Sequence, residues 1–108
     1  MSELFYSPRA REDLDDIWDY IAADLENAAA AQNIVERILS DADRLRDFPQ
    51  MGAPLSSVAE VESDYRFLVS GSYLTFYRVV GEQVFIDRIL YGARDYLRTL
   101  FGGLEQSK

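Results

Sequence analysis

The period of the hydrophobic pattern changes once along the chain, and this change limits what the chain can fold into. Up to about residue 50, apolar residues recur every three or four positions, which is the period of a helix with one buried face. From Tyr65 onward, β-branched and aromatic residues dominate, with short glycine-containing breaks that are typical of hairpins. Helices followed by strands predict an α+β domain.

Two helices are predicted in the first part. Ser7 and Pro8 form a helix start, because the serine caps backbone N–H groups and proline needs no donor at the first helical position. Asn27 caps the second helix, and Pro49 follows its end. The apolar stripe of the first helix is predicted to consist of Ala10, Leu14, Ile17, Trp18 and Ile21. Its polar face is predicted to consist of Arg11, Glu12, Asp13, Asp15, Asp16 and Asp19. A short connection makes the two helices an antiparallel hairpin.

An N-terminal strand is predicted at "ELFYS", and a three-stranded antiparallel meander at "YRFLV", "YLTFYRVV" and "QVFIDRILY". These four strands are predicted to form one twisted sheet. Because the meander strands are apolar on both faces, we expect the helical hairpin to cover one face and loops, the tail or a partner to cover the other. After Gly92 we expect a short helix or ordered tail. One domain is predicted over residues 1–101, with a disordered tail over 102–108.

The composition excludes several kinds of chemistry. The chain has no cysteine and no histidine, which excludes disulfides and catalysis by either side chain. A zinc site would have to use carboxylates alone, so we expect no metal and no cofactor. The chain has no apolar run long enough for a membrane span, and its acidic N-terminus does not resemble a signal peptide. We therefore expect a cytoplasmic protein with no membrane partner.

The charge is distributed unevenly. Residues 1–50 carry twelve acids and five arginines, for a net charge of −7, whereas residues 51–108 carry seven acids, five arginines and one lysine, for −1. The arginines of the second half are Arg66, Arg78, Arg88, Arg94 and Arg98. We expect guanidinium groups from separate strands to converge on one cationic surface that faces a partner, while the acidic helical hairpin faces water.

The order of these segments resembles a known superfamily. The segments "YSPRAREDLDDIWDYIA", "FPQMGAP", "YRFLVSGSYLTFYRV" and "VFIDRILYGARDY" together resemble the RelE/ParE toxins of type II toxin–antitoxin modules, also called plasmid stabilisation or addiction module toxins. The resemblance extends over about residues 3–101. It implies a growth-inhibiting toxin that is neutralised by a cognate antitoxin, with operator DNA contacted only through that antitoxin.

The resemblance leaves three functions open. A ParE-like toxin binds and poisons DNA gyrase without a nuclease reaction. A RelE-like toxin is a metal-independent endoribonuclease that cuts mRNA on the ribosome. A degenerate member would be non-toxic and would act as a co-repressor with its antitoxin. RNA cleavage needs proton transfer, and arginine and tyrosine are poor proton carriers at neutral pH, so we favour the ParE-like function slightly.

The resemblance and the pattern select candidate site residues. If the protein is a nuclease, the candidates are Arg66, Tyr91, Arg94 and Tyr96. For target or antitoxin binding, the candidates are Arg66, Arg78, Arg94, Tyr96, Leu97, Leu100 and Phe101. Exposed aromatics are expected at Tyr73, Tyr77 and Phe85. For Arg88, in the middle of a strand beside Asp87, we expect a partly buried structural ion pair. An acidic antitoxin segment is expected to cover the arginines.

Overall fold

The structure, a computed structural model, describes residues 2–59, 62–92 and 96–101. The predicted tail, the whole of Arg94 and the side chain of Leu97 lie outside the described part. Two long helices follow a short first strand, as the sequence predicts, and the hydroxyl of Ser7 accepts the N–H of Ala10 at 2.9 Å. The helical segments are α1 (Pro8–Asp19), a π-helix (Tyr20–Asp24), α2 (Ala28–Asp43), two 3₁₀ turns (Arg44–Arg46 and Leu55–Ser57) and α3 (Tyr96–Phe101).

Within the described residues, five strands form one mixed sheet in the order β1-β5-β4-β3-β2. The strands are β1 (Glu3–Tyr6), β2 (Ala53–Pro54), β3 (Arg66–Ser70), β4 (Tyr73–Val80) and β5 (Gln83–Tyr91). The meander β3-β4-β5 is antiparallel as predicted, whereas β1 pairs with β5 in parallel. The two-residue β2 is an addition, because it lies inside the segment that was predicted as a loop.

The sheet is covered on both faces, which confirms the expectation from its apolar strands. The helical face packs α1 and α2 against side chains such as Leu68, Tyr77 and Ile86. The second face holds a smaller core of Leu55, Phe76 and Leu90. The 3₁₀ turn at residues 55–57, the segment that follows it and α3 cover this smaller core.

Helix α1 departs from the prediction at two residues. Trp18 is 38% exposed, so its assignment to the core is wrong. Asp13 is buried, although it was predicted to lie on the polar face. The reason is that the buried stripe runs through Ala10, Asp13 and Ile17, where Asp13 faces the edge of β5 beyond the end of β1. Among the described residues, no helix combines the length and apolar character of a membrane span.

Candidate functional site

Arg66 and Tyr77 together hold the loop that follows α2. They lie opposite each other on β3 and β4. Arg66 donates from Nη1 to the carbonyl oxygens of Gly52 at 2.6 Å and Gln50 at 3.2 Å. The Tyr77 hydroxyl donates to the carbonyl of Pro49 and accepts the N–H of Gly52, both at 2.9 Å. Tyr77 is fully buried, so the prediction of an exposed aromatic there is wrong, and burial raises the pKa of its hydroxyl.

Arg88 forms the structural ion pair that its position in the strand predicts. Its Nε and Nη2 donate to the two carboxylate oxygens of Asp13 at 2.8 and 2.9 Å. The same carboxylate accepts the N–H of Ile89 at 2.9 Å. The two side chains are 9% and 16% exposed, for Asp13 and Arg88 respectively. This cation therefore joins α1 to the sheet and does not face a partner.

Arg78 lies on the second face in an aromatic setting. Its Nε donates to Asp87 Oδ2 at 3.2 Å, and its guanidinium carbon lies 5.3 Å from the centre of the Tyr65 ring. Its register partner on β5 is Phe85, whose ring stacks on Phe5 with a centroid separation of 5.4 Å. Arg78 and Phe5 are both exposed. We call Phe5, Tyr65, Arg78 and Phe85 the Arg78 surface.

The surroundings of Tyr65 raise the pKa of its hydroxyl strongly. Burial raises the pKa of Tyr65 to about 12, assisted by a hydrogen bond to Asp87 and by the charge of that carboxylate, while Arg78 acts in the opposite direction. Because burial and Asp87 both favour the neutral phenol, Tyr65 is a poor proton acceptor at neutral pH. Its ring also packs edge-on against Phe101 at 5.9 Å.

An alkaline titration tests this environment. The folded-state pKa of Tyr65 lies above the unfolded value of 10.0, so the group binds a proton more tightly in the folded state. Its stabilising contribution is complete below pH of about 10 and is lost as the pH rises towards about 12. We expect the tyrosinate absorbance of the wild type to show a late component near pH 12 that Tyr65→Phe lacks. A component that survives in Tyr65→Phe would assign the shift to another tyrosine.

The remaining candidates are divided between one end of the sheet, where Tyr91 lies, and the second face, which holds Tyr96, Leu100 and Phe101. Tyr91 pairs with Tyr73, the first residue of β4, and their ring centres are 5.7 Å apart. Tyr96 packs on Phe76 at 5.3 Å on the second face. Leu100 and Phe101 pack against the smaller core.

The expectation of one shared cationic surface is wrong for the described arginines of the sheet. Arg66 is opposite Tyr77 and therefore projects on the helical face, whereas Arg78 projects on the second face. Arg88 is enclosed by Asp13. Successive residues of a strand point to opposite faces, so arginines on neighbouring strands meet only when their register allows it. Among the described residues, no group of three carboxylates is arranged to hold a metal ion.

The sequence analysis missed three residues that shape the surroundings of these arginines: Phe5, Tyr65 and Asp13. Phe5 belongs to the Arg78 surface only because β1 returns to pair with β5, and that pairing has no local sequence pattern. Tyr65 was taken only as the start of a strand. Asp13 could have been found, because it lies between Ala10 and Ile17 at steps of three and four, where an apolar residue belongs.

The chain is similar to known toxins over most of its length. A protein-family model described as "ParE toxin of type II toxin-antitoxin system, parDE" matches residues 4–96. Toxin ParE1 of Caulobacter vibrioides is 34% identical over 85 residues, which cover 79% of this chain and 83% of that protein.

Solved structures agree with this relationship. The chromosomal ParDE toxin–antitoxin system from P. aeruginosa matches with a TM-score of 0.70 and 27% identity, covering 84% of this chain and 96% of the matched chain. The toxin–antitoxin complex RelBE2 from Mycobacterium tuberculosis matches with a TM-score of 0.51 and 25% identity, covering 86% of this chain and 93% of the matched chain. The RelE/ParE-like fold expected from the sequence is confirmed. The chain belongs to the ParE toxin family of type II toxin–antitoxin systems.

Proposed function

We propose that this toxin inhibits growth by binding and poisoning DNA gyrase through the Arg78 surface, without cleaving RNA. The observation that carries the proposal is the dispersal of the three nuclease candidates that the structure describes, Arg66, Tyr91 and Tyr96. Arg66 and Tyr91 align with Tyr77 and Tyr73, which are four residues apart on β4, or about 13 Å at the usual rise per strand residue. Tyr96 packs on the second face.

Cleavage of RNA at a 2′-hydroxyl requires one group to accept a proton, another to donate one, and cations around the same phosphate. Arg66 is bound to two backbone carbonyls, and Arg88 is enclosed by Asp13. The tyrosines that lie beside Arg66 and Arg78 are Tyr77 and Tyr65, and burial is the main cause that raises the pKa of both hydroxyls. A raised pKa moves a phenol away from the range in which it exchanges protons at pH 7.

Binding requires only a complementary surface, and the Arg78 surface has the composition of an interaction site. Arginine and aromatic residues carry a large share of the energy of protein interfaces. The Arg78 bond to Asp87 uses Nε, and the side chain is 44% exposed, so its terminal donors can reach a partner carboxylate. The stacked Phe5 and Phe85 supply apolar contact area beside it.

The family relationship supports both DNA gyrase as the target and a cognate antitoxin as the neutralising partner. The similar protein from Caulobacter vibrioides is named a ParE toxin. Of the two solved structures, one is described as a ParDE toxin–antitoxin system and the other as a toxin–antitoxin complex. We therefore propose a cognate antitoxin as the partner that neutralises this chain.

A supercoiling assay with purified gyrase tests the proposal. We expect the wild-type toxin to block supercoiling or to cause cleaved DNA to accumulate. Arg78→Ala should require at least about tenfold more protein, because an interface arginine of this kind is worth at least about 1.4 kcal/mol, which is tenfold in affinity. Arg46→Ala is the matched control, since Arg46 also pairs with a carboxylate, Asp43, on the surface, and it should retain full inhibition.

A cell-free translation extract tests the alternative function, cleavage of mRNA on the ribosome. We expect intact transcripts when purified toxin is added. Transcripts cut at codon-phased positions, together with unaffected supercoiling, would establish the ribosome-dependent nuclease instead. Induction in cells without any growth arrest would leave the co-repressor function.

A further inference from the structure

Strand β5 contains a bulge at Asp87. On β4, Phe76 and Tyr77 are adjacent, but their register partners on β5 are Arg88 and Ile86. Asp87 is therefore an additional residue between two paired ones. Bulges of this kind change the direction in which a side chain points, and they often occur beside functional sites.

The bulge leaves the side chain of Asp87 on the second face of the sheet. Ile86 and Ile89 both lie in the core of the helical face, three positions apart, whereas a regular strand returns to the same face after two. On the second face, Asp87 lies diagonally across from Arg78, whose register partner is Phe85. Diagonal neighbours on one face of a sheet are close enough for long side chains to meet.

Ser7 holds the backbone of the bulge in place. Its hydroxyl donates to the carbonyl oxygen of Asp87 at 2.8 Å, and its N–H donates to the carbonyl oxygen of Ile86 at 2.9 Å. The same hydroxyl accepts the N–H of Ala10 as the cap of α1. Because these contacts tie the bulge to the start of α1, the Asp87 carboxylate projects from a fixed backbone position.

The Asp87 carboxylate binds two side chains of the Arg78 surface. Its Oδ2 accepts a hydrogen bond from Nε of Arg78 at 3.2 Å. The Tyr65 hydroxyl is hydrogen-bonded to the same carboxylate, and the guanidinium carbon of Arg78 lies 5.3 Å from the centre of the Tyr65 ring. Each of the three side chains therefore contacts the other two. A carboxylate at Nε and an aromatic ring against the guanidinium together restrict the orientation of Arg78.

The two members of this ion pair differ in their exposure. The side chain of Asp87 is 20% exposed, whereas that of Arg78 is 44% exposed. The carboxylate is therefore more shielded than the cation that it binds. Ion pairs at the protein surface usually contribute little to stability. A shielded carboxylate can instead fix the orientation of an exposed functional side chain, which is a common role of hydrogen-bonded neighbours in binding sites.

We propose that Asp87 is a positioning residue that holds Arg78 in the orientation in which its guanidinium binds gyrase. This inference rests on the gyrase target in the proposed function. An unrestrained arginine loses rotamer freedom when it binds, whereas an arginine held by Asp87 has already lost that freedom on folding. Removal of the carboxylate should therefore weaken inhibition. A purely electrostatic role predicts the opposite, because loss of a negative charge makes the Arg78 surface more positive.

The test compares the concentrations of full-length toxin that half-inhibit supercoiling by purified gyrase. Asp87→Ala should require about threefold to tenfold more protein than the wild type, the usual effect of freeing one flexible interface side chain. Asp87→Ser, whose hydroxyl is too short to reach Arg78, should match it and supplies a second variant. Asp87→Asn keeps an acceptor oxygen and should recover most of the inhibition.

Asp43→Ala is the matched control. It frees Arg46 from a bond of the same kind, since Nε of Arg46 donates to Asp43 Oδ1 at 2.7 Å, and it should inhibit gyrase as the wild type does. Circular dichroism of each variant verifies that it is folded. The alkaline titration checks the contact itself, because the charge of Asp87 raises the pKa of Tyr65 and the late tyrosinate component should move to lower pH in Asp87→Asn.

A double variant shows whether Asp87 acts through Arg78. In the Arg78→Ala background, Asp87→Ala should cause no further loss of inhibition, because the side chain that it positions is absent. Equal or stronger inhibition by Asp87→Ala alone, or additive losses in the double variant, would overturn the inference and leave gyrase as the target. A wild-type toxin without any effect on gyrase would instead remove the proposed target, and the inference with it.

Discussion

Replacement of Asp13 by alanine should lower the free energy of unfolding by about 3–5 kcal/mol, which is the usual cost of removing one partner of a buried ion pair. The carboxylate accepts two bonds from Arg88 and one from the N–H of Ile89. Its loss leaves a guanidinium and a backbone donor inside the protein without their acceptor. The exposed acids of α1 should have no comparable effect, because their carboxylates face water.

The measurement is urea unfolding of the wild type, Asp13→Ala and Asp16→Ala. Asp16 is the matched control, since it lies three residues further along α1 and is exposed, and its replacement should change stability by less than about 0.5 kcal/mol. Arg88→Met should also destabilise, and the double variant Asp13→Ala/Arg88→Met should be more stable than the sum of the single effects implies. A loss below about 1 kcal/mol for Asp13→Ala would show that the pair does not hold α1 to the sheet.

Replacement of Gly52 by alanine should destabilise the protein by about 3 kcal/mol, because overpacking and a broken buried hydrogen bond act together. A Cβ at this position would lie 2.6 Å from the Tyr77 hydroxyl oxygen, 2.7 Å from the carbonyl oxygen of Phe67 and 2.8 Å from Cε1 of Tyr77. Two of these neighbours are a buried ring and one is the backbone of β3, so none can move freely. The loop held by Arg66 and Tyr77 would have to leave the sheet.

Gly81→Ala is the control for this experiment. Gly81 has φ +61, but a Cβ there meets nothing within 4 Å, so only the backbone penalty of about 1–2 kcal/mol applies. Tyr77→Phe should not rescue Gly52→Ala, since the ring carbon and the Phe67 carbonyl remain in place. Stability of Gly52→Ala equal to that of Gly81→Ala would contradict the packing argument.

Features that depend on a few adjacent residues could be predicted from the sequence. Ser7 and Asn27 cap the helices that follow them, and the antiparallel meander appears where the period changes. Features that depend on pairing between distant parts of the chain could not be predicted in this way. The parallel pairing of β1 with β5 sets which side chains meet Phe5, and it also leaves an edge of β5 that Asp13 satisfies.

The candidate site shows the same division. Four of the residues predicted to bind a target or antitoxin lie on the second face, namely Arg78, Tyr96, Leu100 and Phe101. Their role in binding stays a prediction. Arg66 lies on the helical face. Its partner on β4 is Tyr77, which precedes Arg78, and successive residues of a strand point to opposite faces. The π-helix Tyr20–Asp24 could not be predicted either, because the pattern "YIAAD" contains no marker for its additional residue per turn.

The most direct test of the account is the order in which synthesis stops after the toxin is induced in cells, followed by incorporation of labelled thymidine and labelled methionine. If the dispersed arginines and tyrosines leave only a binding function directed at gyrase, thymidine incorporation falls first while methionine incorporation continues. Arg78→Ala delays that fall, and Arg46→Ala does not. An immediate stop of methionine incorporation, with transcripts cut in phase with codons, would contradict the account.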